Sequence, residues 1–394
     1  MRILTRYILF DLLKVFLFTL LSMTVFVFLV LIGKEAVENG LGLVPILRMV
    51  PYLLPQAMQF AVPGTMLLAT TSVYGRVAAA NEIVAVKSLG ISPMVMMWPT
   101  LILATLVSLG AVALNDIAVS WGRGGVQRVI LESLEEIVYG RLRTTGSFSN
   151  DKLSVTVKKV TGKKLIQPTF LLFRPGGEAP WTITADRAEI RADEQNASVQ
   201  LILKNAYMKL GEAHYSDSEE SVYEISLAEF GGEHGGSRSP SSYSLKEIGP
   251  SKISQKSYIA QLNQEMAADA AHAIMTGRTY ELSQDVWRGK EETLFWARNK
   301  LYRLYTEPHR RWANGFSCLC FVLIGAPMAV RLRHGEFWGS FFACFLPILV
   351  VYYPLLVGCL DAAKGGDIPA QAVWMGNLVL AVWGVWLMRR VIRF

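Results

Sequence analysis

Two sets of ionisable residues carry the chemistry this chain offers. The first is Lys34, Arg48, Asp116, Arg310 and Arg311, each near the edge of a long uncharged stretch. Cationic side chains at such places have two uses. They snorkel to an interface as anchors, or they hold phosphates of an anionic amphiphile, arginine as a bidentate fork and lysine as a point charge. The second is Glu82, the lone carboxylate in the alanine-rich run Tyr74–Gly90. On a helix, Ala78, Glu82, Ala85 and Leu89 share one face, and Gly90 is a natural stop. That face is either solvated, with Glu82 paired to Arg76 or Lys87, or it docks against a partner.

Other chemistry lacks its residues. Gly162-Lys163-Lys164 has neither the upstream glycine nor the following Ser/Thr that a phosphate-cradling loop requires. No His-Glu-x-x-His run occurs, and the five histidines are scattered. No catalytic residue and no metal site is expected. Cys318, Cys320, Cys344 and Cys359 all lie in apolar stretches, as buried unreactive thiols do. The net charge of +7 comes without a nucleic-acid motif, so the positive charge is assigned to membrane boundaries rather than to nucleic acid.

Six charge-free stretches must position these groups: Val15–Ile32, Met49–Gly75, Ser88–Asn115, Trp312–Val330, Phe337–Leu360 and Ile368–Met388. About twenty such residues suffice to cross a bilayer as a helix. With 52% apolar residues and a mean hydropathy of +0.32, the chain reads as a polytopic membrane protein with a polar insert after its third span. The first stretch lacks a small-residue cleavage site and is read as a retained span. Arg2, Arg6 and Lys14, then Arg76 and Lys87, then Arg331 and Arg333, and finally Arg389, Arg390 and Arg393 fall on one side if six spans alternate. The positive-inside rule then puts both termini in the cytoplasm and the insert outside.

Within the insert the hydrophobic period drops to two. Leu153, Val155 and Val157 alternate with polar residues, as do Trp181 and Ile183, then Val199, Leu201 and Leu203, then Tyr223, Ile225 and Leu227. Pro175-Gly176-Gly177 and Gly231–Ser242 break these rows, so short antiparallel strands of a small sandwich or open barrel are expected, with Gly231–Ser242 as a loop. Ile259, Leu262, Met266, Ala270 and Ala273 then recur at helical spacing up to Gly277. Leu294, Ala297, Leu301 and Leu304 predict a second helix leading to the membrane.

The order and spacing of three stretches resemble the LptF/LptG permease family of the lipopolysaccharide export ABC transporter. They are Asn81–Ser92, Glu307-Pro308-His309-Arg310-Arg311 and Trp374-Met375-Gly376-Asn377-Leu378. The resemblance covers essentially the whole chain. It implies six transmembrane helices with a periplasmic β-jellyroll inserted between helices 3 and 4. Residues 1–120 would hold helices 1–3 with a cytoplasmic coupling helix at about 74–89, residues 121–306 the jellyroll and its helical connection, and residues 307–394 helices 4–6.

By the same resemblance this is a noncatalytic subunit of the bacterial inner membrane that extracts lipopolysaccharide. Its expected partners are a second LptF/LptG-type permease, a cytoplasmic ABC ATPase dimer and a periplasmic jellyroll bridge protein. The chain itself would hold no cofactor; ATP and Mg would be used by the ATPase. Glu82, with Ala78, Ala85, Leu89 and Gly90, takes the coupling position, and Lys34, Arg48, Arg310 and Arg311 the headgroup positions. Pro308 stands where a helix former is usual, so a bend is expected there. Glu336 after Gly335 replaces a basic residue. Export of another lipid or a lipoprotein, or a membrane-anchored scaffold or sensor, are the alternative readings.

Overall fold

The computed structural model describes residues 2–39, 43–126, 146–149, 153–162, 164–172, 181–193, 198–210, 213–226, 239–278, 284–332 and 337–393, with 128, 129, 139, 142, 143 and 280. Pro175-Gly176-Gly177, Leu227, residues 231–238, Arg333, Gly335 and Glu336 lie outside this set. The chain forms two compact units. One comprises Met1–Leu31, Leu53–Gly122 and Pro240–Phe394, the other Ile32–Tyr52 and Arg123–Ser239.

The first unit is helical. Its elements are α1 (Arg2–Asn39), α2 (Leu43–Ala79), α3 (Glu82–Ser88) and α4 (Met94–Ile117), where α1 and α2 extend into the second unit. After the sheet come α5 (Leu245–Met275), α6 (Gln284–Arg331), α7 (Phe337–Pro347), α8 (Tyr353–Gly365) and α9 (Met375–Arg393). The two helical rows expected before the membrane are α5 and the first half of α6, and Gly277 follows α5 at φ 69° as its stop. Ser244 starts α5 with a reciprocal capping box to Glu247. The helical assignment of α6 continues unbroken through Pro308 and Pro327, so the expected bend at Pro308 does not end the helix.

Among the described residues five helices are long and apolar enough to cross a membrane: Ile3–Glu35, Met94–Val126, Trp287–Arg331, Gly339–Gly365 and Ala370–Ile392. Where six were expected, α2 falls short. Pro51, Pro55 and Pro63, two glutamines and several hydroxyl residues dilute its hydropathy. The hydroxyls turn back on their own helix: Thr65 donates to the Val62 carbonyl (3.0 Å), Thr70 to Met66 (2.7 Å) and Thr71 to Leu68 (3.1 Å). A buried polar residue satisfied this way can sit in an apolar setting. The stretch Phe337–Leu360 is α7 and α8 joined by a π-helical segment, Ile348–Tyr352, between Pro347 and Pro354. A π-bulge absorbs the misfit that proline introduces.

Between membrane helices apolar burial drives little association, and close backbone approach takes its place. At Gly315 of α6 a Cβ would lie 3.0 Å from the Ser108 carbonyl of α4 and would overlap Val112. At Gly384 of α9 it would lie 2.8 Å from the Leu323 carbonyl of α6. Glycine at these points lets α4 and α9 both pack on α6.

The second unit is an antiparallel sheet. Its strands are β1 (Ser147–Ser149), β2 (Leu153–Thr156), β3 (Lys159–Thr161), β4 (Lys164–Ile166), β5 (Thr169–Leu172), β6 (Trp181–Asp193), β7 (Ser198–Leu210) and β8 (Ala213–Ser226). Strands β2–β3 and β4–β5 are two strands that each break once. The sheet is therefore an up-and-down meander, β1 next to β2–β3, then β4–β5, β6, β7 and β8. The expected jellyroll would need Greek-key crossings; among the described strands only chain neighbours pair. The alternating rows did select the interior: Val155, Ile183, Leu201 and Leu203 are buried with Phe170, Leu165 and Ala206, and Tyr139 and Leu142 pack on them.

One irregularity crosses the whole meander. Gln167 and Asn205 have positive φ (48° and 54°), and β8 shifts register against β7 between Lys204 and Ala206. The Gln167 amide donates to the Asp186 carbonyl (2.9 Å), and the Asn205 side chain to the Asp186 carboxylate (2.9 Å). On either side of this line the inward residues change parity, from Leu165 to Phe170, from Ala185 to Ala188 and from Leu203 to Ala206. Aligned bulges bend a sheet without exposing its core.

Candidate functional site

The Glu82 region is built from three helix ends. Tyr74, wholly buried, anchors the end of α2: its hydroxyl donates to the Met96 carbonyl (2.8 Å) and lies 2.7 Å from the Thr100 hydroxyl. The run 74–89 is not the single helix expected. It stops at Ala79, and Asn81 turns the chain at φ 56°, a left-handed conformation that asparagine tolerates better than most residues. A new helix, α3, then starts at Glu82, whose carboxylate in the first turn suits the helix dipole. The expected stop holds: Gly90 has φ 73° and its amide donates to the Lys87 carbonyl (2.9 Å).

The break redistributes the expected face. Ala78, left on α2, is buried, and Ile83 and Val86 anchor α3 in the core. Glu82 is half-buried, whereas Ala85, Gly90 and Leu89 (75% exposed) point outward with Val84. Neither nearby cation is committed to Glu82. Arg76 pairs with Asp11 of α1, and Lys87 donates to the Val391 carbonyl of α9 (2.8 Å). What remains is a short, firmly seated helix that shows one carboxylate, small side chains and an exposed leucine.

The basic residues Lys34, Arg48, Arg310 and Arg311 divide between the two units. Lys34 and Arg48 are exposed residues of the second unit. Arg310 and Arg311 belong to the first, and both are engaged there. Arg311 is 0% exposed. Its guanidinium donates to Asp116 of α4 (2.7 Å) and to the Tyr243 carbonyl just before α5 (2.5 Å). The same Asp116 oxygen accepts the Leu245 amide at 2.9 Å. Glu307 lies 3.7 Å from the Arg311 Nε and accepts Arg310 at 2.7 and 3.1 Å. Arg311 thus joins α4, α5 and α6 and has no open edge for a headgroup. A buried charge persists only when paired and hydrogen-bonded. The sequence placed Asp116 and Arg311 at apolar edges but gave no sign that they meet.

Two of the stretches that carried the family resemblance also meet here. The Asn377 side chain donates to the Ala313 carbonyl (2.8 Å), and the Trp374 indole donates to His309 Nδ1 (3.4 Å). They fasten α9 and the turn just before it to α6, one turn from Arg311. Among the described residues no group of His, Cys, Asp and Glu could hold a metal ion.

Apolar membrane-length helices on both sides of an inserted antiparallel sheet, tied by buried polar joints, define a multi-pass membrane protein with an extramembrane domain. Residues 6–390 match the family model described as lipopolysaccharide export system permease LptF/LptG, and the chain belongs to that family. None of the curated proteins compared matches it at a significant level.

Proposed function

We propose that the chain is the noncatalytic permease subunit of an ABC transporter that lifts lipopolysaccharide out of the inner membrane and hands it to a periplasmic bridge protein. The family match over residues 6–390 carries this reading. In it α2 is the sixth span, both termini are cytoplasmic and the sheet is periplasmic, as the placement of Arg76, Lys87, Arg389 and Arg390 supports. A second permease of the same family completes the cavity. ATP and Mg serve a separate ATPase dimer, which meets the outward face of α3 at Glu82, Ala85 and Leu89, with Gly90 ending that helix and Ala78 seating it.

Closure of that ATPase pushes on α3. Because α3 is held to α9 by Lys87, and α2 to α1 by Arg76, the push moves whole helices and narrows the cavity. Lys34 and Arg48, the exposed cations, meet the headgroup phosphates. Arg311 keeps the helices in place instead of touching lipid, and Arg310 pairs with Glu307 of its own helix. Acyl chains leave along the apolar side of the meander, where Leu203 and Phe170 shield them from water.

Photocrosslinking from Leu203 tests this. An ATP-dependent adduct with lipopolysaccharide is expected. An adduct with a different lipid or a lipoprotein would reassign the cargo, and no adduct in the presence of a working ATPase would overturn the export route.

A further inference from the structure

Along α9, Leu378, Val382, Trp386 and Arg390 fall at every fourth residue, so they form one slowly drifting stripe. The three apolar members are 59%, 64% and 47% exposed, and Arg390 is exposed at the end. A groove of about 530 Å³ runs along this stripe beside Trp383. At its cationic end opens a second pocket of about 650 Å³, into which α3 supplies Lys87, α6 supplies Arg331 and α9 supplies Arg390. Among the described residues no carboxylate lines it. The two spaces adjoin through one contact: the Arg390 guanidinium lies 4.2 Å from the centre of the Trp386 ring.

We infer that this pair of pockets binds one anionic phospholipid of the adjacent leaflet, its phosphate among Lys87, Arg331 and Arg390 and an acyl chain along Trp386, Val382 and Leu378. Each part has a physical reason. Three cations from three separate elements converge where no described residue of the lining carries an opposite charge. The ring of Trp386 holds Arg390 in place by a cation–π contact, so its fork is preorganised for phosphate. From Arg390 to Leu378 the helix rises about 18 Å, close to the roughly 15 Å half-thickness of a bilayer's hydrocarbon core. An acidic protein segment would satisfy the cations but would leave the stripe uncovered. A lipid satisfies both.

The site lies apart from the proposed export route and reaches α3 through Lys87, so occupancy would stiffen the seat of the Glu82 helix. The inference does not depend on what the protein exports. Its test is lipid retention by the full chain in nanodiscs of mixed dioleoyl phosphatidylglycerol and phosphatidylcholine, read by native mass spectrometry. The wild type is expected to retain phosphatidylglycerol preferentially. The double variant Arg331→Gln/Arg390→Gln is expected to lower that preference about tenfold, while Arg331→Lys/Arg390→Lys keeps most of it. Val382→Trp, which leaves every charge in place and fills the groove, is expected to lower retention too. Equal retention of both lipids by the wild type overturns the site. So does displacement of the bound lipid by glycerol 3-phosphate alone, which would make it a phosphate site without a chain. Capture of a soluble acidic protein at the same three cations, with no lipid preference, also overturns it.

Discussion

Arg311 and Glu82 are charged residues at the edges of apolar helices, and composition treats them alike. The structure does not. Arg311 is enclosed, with its charge spent on Asp116 and the Tyr243 carbonyl. Glu82 sits beside Arg76 and Lys87, which reach Asp11 and the Val391 carbonyl rather than Glu82. One end of the helical unit uses charge to lock helices together. The other keeps a carboxylate available on a locked platform. A charged residue beside a membrane helix therefore speaks of function only after its partners have been counted.

The contrast is open to breakage at its strongest point first. Asp116→Ala strips the buried Arg311 of its counter-charge and is expected to cost about 3–5 kcal/mol. A large drop in thermal stability in detergent is the readout, and an unchanged Tm would mean that Arg311 is not locked. Gly315→Val forces a side chain into the Ser108 carbonyl and Val112 and is expected to cost about 1–3 kcal/mol. Its readout is the same melting measurement together with the yield of folded protein. At the other end, Tyr74→Phe removes a buried hydroxyl that serves Met96 and Thr100, at about 1 kcal/mol. Hydrogen exchange should rise at the start of α4 and at the end of α2, and hardly at α5.

A smaller effect concerns the α5–α6 pair. Burial lowers the pKa of Lys252 from 10.5, against the favourable influence of Tyr305 and with Lys256 adding repulsion. A lysine whose folded pKa is lowered holds fewer protons folded than unfolded between the two values. Stability is therefore expected to rise with pH through the lowered pKa and to level off near 10.5. Lys252→Met should remove that rise from the Tm–pH profile. The side chain is largely solvated, so the change is small.

Local signals were legible in the sequence where one period governed an element. The rows at Val155, Ile183 and Leu201 found the sheet's interior, the row from Ile259 to Ala273 found α5, and Gly90 and Gly277 ended their helices as expected. The failures have identifiable causes. Asn81 breaks the 74–89 run because a single left-handed residue ends a helix without altering the apolar pattern around it. The line of bulges through Gln167 and Asn205 reverses strand parity, which a period-two reading takes as noise. Arg311 and Asp116 stand 195 residues apart in the chain, and a pairing over that distance leaves no local trace. Lys34 and Arg48 are exposed, whereas Arg311 is drawn into a helix joint and Arg310 pairs with Glu307 of its own helix.

In the proposed mechanism the outward face of α3 receives the ATPase stroke. Glu82→Lys in the reconstituted transporter tests it most directly, with lipopolysaccharide release followed during ATP hydrolysis. Glu82 is half-buried in the first turn of α3, so the substitution should cost no more than about 1 kcal/mol of stability and membrane insertion should be unchanged. ATP-driven release is expected to be lost under those conditions. Release at the wild-type rate would contradict it.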